Sequence, residues 1–164
     1  MQTDHSDHSS STIVEISAEG VEPPSWADPL AGFATRVLEH LGLGGRELSI
    51  LLCDEAVIRR LNSDYRRIDA ATDVLSFGVD EEESPGAAEV RFLGDIAVAL
   101  PFVQRQAAQL GVPEEEELRR MVVHGILHLA GYEHGDDTME TKENSPMLSL
   151  QERILEELSE DRLF

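Results

Sequence analysis

Ile13, Val14 and Ile16 form the first apolar cluster of the chain, and their spacing predicts a short strand. Pro23-Pro24-Ser25 breaks the chain, and apolar residues then recur at helical spacing over 26–43, which predicts an amphipathic helix. The run over 48–53 predicts a second strand, and Asp54 stands where the N-cap of a helix through Ile58, Leu61 and Tyr65 belongs. Segments 72–77 and 90–98 are rich in strand-forming residues; between them, 78–88 is acidic and carries Pro85 and Gly86, which predicts an exposed loop. Helices are expected over 100–110, from Pro113 through about 130, and from Pro146, capped by Ser145, to about 160. Glu114 to Glu117 fall where negative charge complements the helix dipole. Strands confined to the first two thirds, with helices between and after them, indicate the α/β (α+β) class: a small mixed sheet of about four strands covered by helices.

Composition sharpens this picture without changing it. The chain has 164 residues, 41% hydrophobic and 28% charged, as expected for one globular domain. Residues 1–11, with His5 and His8 among Ser and Asp, read as a disordered tail, and 12–164 as a single catalytic domain. The polar start lacks the basic and apolar blocks of a signal peptide, and no apolar run is long enough to span a bilayer, so the expectation is a cytoplasmic protein without a membrane partner. Cys53 is the only cysteine; in its apolar run it reads as a buried structural thiol. The 33 acidic and 13 basic residues give a net charge of -20, a field that repels polyanions unless local arginines, high salt or a partner compensates. Adaptation to a salty cytoplasm is one reading of that acidity.

The chemistry concentrates in one helix. From Met121 to Ala130 the sequence carries no formal charge and is apolar on nearly every face, so the segment is expected to be buried. His124 and His128, four residues apart, project from one side of a helix and suit two imidazoles on one ion. Gly131 can end the helix in a left-handed turn and bring back His134 as a third nitrogen ligand. Three protein ligands leave one tetrahedral position open, which marks a catalytic zinc rather than a structural one. The bland alternative, three core histidines satisfied by carbonyls, is outweighed by finding all three at this spacing on a chargeless helix end. Zinc (Zn2+, one ion per chain) is the first expectation; nickel, copper, cobalt and iron also accept neutral imidazoles.

Spacing does not select the reaction, because His-x3-His-x2-Gly-x2-His is also the ligand pattern of metzincin proteases. The deciding position is 125, where a zinc protease carries its glutamate base and this chain has Gly125. Glu133, Asp136 and Asp137 are substitutes for that base on paper, with a solvated loop as their commoner role.

The string His124-Gly-Ile-Leu-His-Leu-Ala-Gly-Tyr-Glu-His134 resembles the signature of the YbeY family of bacterial endoribonucleases and rRNA maturation factors. Leu61-Asn-Ser-Asp-Tyr-Arg66, Thr72-Asp-Val-Leu-Ser-Phe77 and Leu93-Gly-Asp-Ile96 resemble its other segments in the same order. Departures are Ala71 and Gly78 where proline is common, Glu133 where aspartate is usual, and an insertion-like stretch at 138–146; none removes a metal ligand. The resemblance implies a zincin-like metal helix, metal-dependent hydrolysis of single-stranded RNA during ribosomal RNA processing, and contact with the ribosome or its proteins. It also implies that Arg66 grips substrate phosphate, a task for which a planar guanidinium is suited. Arg67 and Arg91 are weaker candidates, and Thr72, Asp73, Ser76 and Asp95 are expected to cap turns or orient strand ends. Two other readings compete: a metallopeptidase-like hydrolase of a small or peptide substrate, and a ribosome-assembly factor whose ion is structural.

Overall fold

The computed structural model describes residues 11–78, 91–132 and 145–160. Most of the expected N-terminal tail, nearly all of the acidic loop, His134 and the substitute bases Glu133, Asp136 and Asp137 lie outside those residues. Within them the order is β1 (Ile13–Glu19), α1 (Ala27–His40), β2 (Glu47–Cys53), α2 (Glu55–Arg66), β3 (Val74–Gly78), β4 (Phe92–Ala99), α3 (Leu100–Leu110), α4 (Glu114–Leu129) and α5 (Pro146–Glu157).

The expected caps explain several boundaries. Asp54 accepts the Val57 amide and starts α2; Ser145 accepts the Leu148 amide and starts α5. No side chain caps α4; four glutamates in its first turn complement the dipole instead. The first helix is shorter than its periodicity predicts, because Gly42 (φ 76°) turns the chain and Leu43 donates back to the Leu38 carbonyl. The last helix likewise stops at Glu157, with Leu158 as its C-cap.

The strands form one mixed sheet in the order β1-β2-β4-β3, with β1, β2 and β4 parallel and β3 antiparallel on the edge beside β4. Alternation along the strands divides the interior in two. Leu48, Ile50, Leu52, Ile96 and Val98 point to one face, where they join Phe33 and Val37 of α1, Val122 and Ile126 of α4, and Met147 and Ile154 of α5 in the main core. Cys53, Ala97 and Ala99 point to the other face and meet Val57 and Ile58 of α2 in a smaller core. Burial on both faces is why β4 reads as a nearly unbroken apolar run.

Two points of close approach depend on residue size. Gly94 has φ +154°, and a Cβ there would lie 2.5 Å from the Phe77 carbonyl oxygen and 2.8 Å from Leu129. The pairing of β2 with β4 shifts register at this point, with Glu47 opposite Phe92 and Leu48 opposite Gly94. Where α4 crosses the sheet, a Cβ on Gly125 would meet three Ile96 side-chain atoms at 3.0–3.2 Å. The helix therefore rests on β4 through a glycine. Cys53 is fully buried, and desolvation with the nearby Asp54 and Glu19 charges pushes its thiol up to about 12, as a structural thiol should be.

Candidate metal centre

The apolar half of α4 is buried as its composition predicts, and the exceptions are informative. From Met121 to His128 every residue is buried except His124 and His128, which are half-exposed on the same side of the helix. That side faces a cavity of about 130 Å³ lined by Arg66, Asp73, Val74, Leu75, Ser76, His124, Gly125 and His128. Its opposite wall is thus the edge strand β3.

The two rings meet edge to face, with centroids 4.7 Å apart, and their Nε2 atoms lie 3.2 Å from each other. A tetrahedral ion with Zn–N bonds of about 2.0–2.1 Å holds its ligand nitrogens about 3.4 Å apart, so these two rings already stand at close to ligand spacing. His124 also places Nδ1 2.8 Å from Oε1 of Gln151 on α5. An amide oxygen only accepts, so Nδ1 carries the proton, and in the neutral ring Nε2 then keeps its lone pair. The donor set, two neutral imidazoles converging on one cavity, fits a borderline divalent cation. Among the described residues no set of three His, Cys, Asp or Glu side chains converges as a metal site. The expected third ligand, His134, lies outside them, but the chain turns as anticipated before it: Gly131 has φ 99°, its amide donates to the His128 carbonyl, and that of Tyr132 donates to Leu127.

Arg66, to which the family resemblance assigns a grip on substrate phosphate, lines the same cavity. Its Nη2 donates to the Ser76 carbonyl at 2.7 Å, and its guanidinium lies 5.6 Å from the Phe77 ring centroid. It therefore reaches from α2 to β3 and presents positive charge at the histidine cavity. It also lines a larger groove of about 630 Å³ on the opposite side of β3, with Leu51, Leu61, Tyr65, Phe77 and Asp95.

The other polar candidates separate cleanly. Asp73 caps the start of β3, accepting from the Val74 amide and the Thr72 hydroxyl, in line with the expected turn-capping role. Asp95 makes no capping hydrogen bond among the described residues: it lies in the groove, where loss of hydration pushes its carboxyl above the ordinary value. Arg91 is committed elsewhere, donating to the carbonyls of Gly45 and Ser11. Arg67 ends α2 in a left-handed conformation, φ 62°.

Sequence reasoning overlooked Gln151 and the polar chain behind it. Gln151 Nε2 lies 3.4 Å from Glu152 Oε2, Glu152 accepts from Arg120 Nε at 3.1 Å, and Arg120 also donates to the almost fully buried Glu117. Gln106 then bridges Glu117 to Asp73, returning the chain of contacts to the cavity wall. One signal was available: a cluster of charged residues on α4 immediately before its chargeless segment requires partners when buried.

Comparisons with known proteins point to one family. A family model described as "Endoribonuclease YbeY" matches residues 19–159. A Treponema pallidum protein named Endoribonuclease YbeY is 45% identical over 146 residues, covering 87% of this chain and 87% of its own length. A Persephonella marina protein of the same name is 42% identical over 123 residues, covering 75% of this chain and 77% of its own. Among solved structures, a Thermotoga maritima protein determined in solution superposes with a TM-score of 0.61 at 30% identity, covering 90% of each chain.

Proposed function

Because this chain belongs to the endoribonuclease YbeY family, we propose that it is a metal-dependent endoribonuclease acting on single-stranded RNA, and that the cavity between α4 and β3 is its active site. The observation that carries the reading is the pair of Nε2 atoms 3.2 Å apart on the floor of a cavity that Arg66 lines. In this reading α4 is a zincin-like metal helix, His124, His128 and His134 hold one ion, with zinc the first expectation, and residues 12–164 act as one catalytic domain.

A bound ion of this kind supplies Lewis acidity and lowers the pKa of coordinated water to about 7. The protein's own groups do the rest. The buried flanks of α4 hold the two rings still, and the Ser76 carbonyl fixes one arm of Arg66 at the cavity mouth. The remaining guanidinium N–H groups are the cation available to a phosphodiester there, offsetting negative charge as it develops. That local cation matters more in a chain of net charge -20, which opposes the approach of RNA at long range.

Gly125 speaks against the peptidase reading on two grounds. It has no proton-accepting group, and a side chain there would press on Ile96, whose atoms lie 3.0–3.2 Å from where its Cβ would stand. No helix among the described residues is long and apolar enough to cross a membrane, and we place the enzyme in the cytoplasm, acting on ribosomal RNA in association with the ribosome. The test is cleavage by purified protein of known metal content. Single-stranded RNA should be cut, chelator should stop the reaction, and an unstructured peptide should survive. Intact RNA at every ionic strength with the ion bound would favour a non-catalytic assembly factor.

A further inference from the structure

Gln151 sits on α5, none of whose residues lines the cavity, yet it is 5% exposed and its oxygen is 2.8 Å from His124 Nδ1. An amide can present either end. Turned round, its NH2 would face the Nδ1 proton and its oxygen would face the Glu152 carboxylate, two repulsive contacts in place of two attractive ones. Glu152 is itself held by two nitrogens of Arg120, at 3.1 and 3.3 Å, and Arg120 is anchored on the other side by Glu117 at 3.2 Å. The carboxylate therefore stays in place and the amide has one favourable orientation.

We propose that Gln151 is a positioning residue for the metal centre, fixing His124 in the tautomer whose Nε2 lone pair faces the ion. The inference rests on the ligand assignment made above. Without an acceptor at 151, His124 loses the contact that favours a proton on Nδ1, and a proton on Nε2 blocks coordination. Partners of this kind orient a ligand and typically account for 10–100-fold in metal affinity.

Two variants and one spectrum test it. Zinc affinity is measured by competition with a chromophoric chelator in the full chain, and the His124 tautomer is read from imidazole 15N shifts of metal-free protein. Wild type should show the proton on Nδ1. Gln151→Leu should bind zinc about 10–100-fold more weakly while unfolding at a similar temperature when metal-free, and Gln151→Glu, which retains an acceptor, should bind within a few-fold of wild type. Wild-type affinity in Gln151→Leu, equal losses in both variants, or a wild-type proton on Nε2 would each overturn the inference and leave the ligand assignment standing. Wild type that takes up no zinc, or His128→Ala that keeps it, overturns the ligand assignment itself and this inference with it.

Discussion

The two faces of the sheet are built from alternate residues of the same strands, but they do different things. On one face α1, α4 and α5 press into a large core, and α4 comes close enough that a Cβ at Gly125 would crowd Ile96. On the other, α2 covers part of the sheet with a smaller core and leaves an open groove where Asp95 meets apolar walls. The first face holds two imidazoles at ligand distance; the second leaves a groove across β3 from them. Arg66 belongs to both, since it starts on α2 and ends at the edge strand that separates the groove from the histidines. Rigid packing thus sits behind the proposed chemistry, and the open groove lies across β3 from it.

Substitutions on either face sharpen this contrast. His128→Ala has the largest expected effect: loss of the bound ion and of RNA cleavage to background, read by elemental analysis and a cleavage assay. A variant that lost its ion and cut RNA normally would break the link between the packed face and the chemistry. Next comes Gly125→Glu, which restores the residue a zinc protease carries but drives a side chain into Ile96. Overpacking there should cost about 1–3 kcal/mol in denaturant unfolding, with no peptidase activity gained. Arg66→Glu lies between the faces; it should fold, keep its ion and lose about 10²–10³-fold in turnover, and unchanged turnover would remove the phosphate clamp.

The smallest effect belongs to the open face. The Asp95 carboxyl is raised above its ordinary value of 3.8 by desolvation, so its charged form costs the folded state more than the unfolded one. The penalty is fully present above the folded value, shrinks as pH falls through it, and vanishes once the unfolded carboxyl is also protonated. Asp95→Asn should therefore raise Tm slightly at pH 7, on the order of 1–2 °C, with no gain below about pH 3.8. An equal gain at both pH values would show that hydration is not the cause.

Much of this was legible beforehand because the signals were local. Asp54 and Ser145 cap the helices they precede, Gly131 turns the chain after Leu129, and the histidine spacing places two rings on one side of α4. What was not legible depends on contacts between distant segments. The strand order β1-β2-β4-β3 is set by which apolar faces find each other, and no periodicity encodes it. Gln151 is 27 residues from His124, in a helix whose pattern requires only that the position be inward. Asp95 was expected to cap a turn or orient a strand end; the register opposite Phe77 places it in the groove instead.

Cys53 closes β2 beneath α2, fully enclosed and with its proton held tightly. Thiolate is the nucleophilic form, so oxidants and alkylating reagents have no purchase on this sulfur while the smaller core is intact. The chain carries one such group and no other, which makes it a built-in clock: the rate at which the thiol is trapped reports how often that layer comes apart.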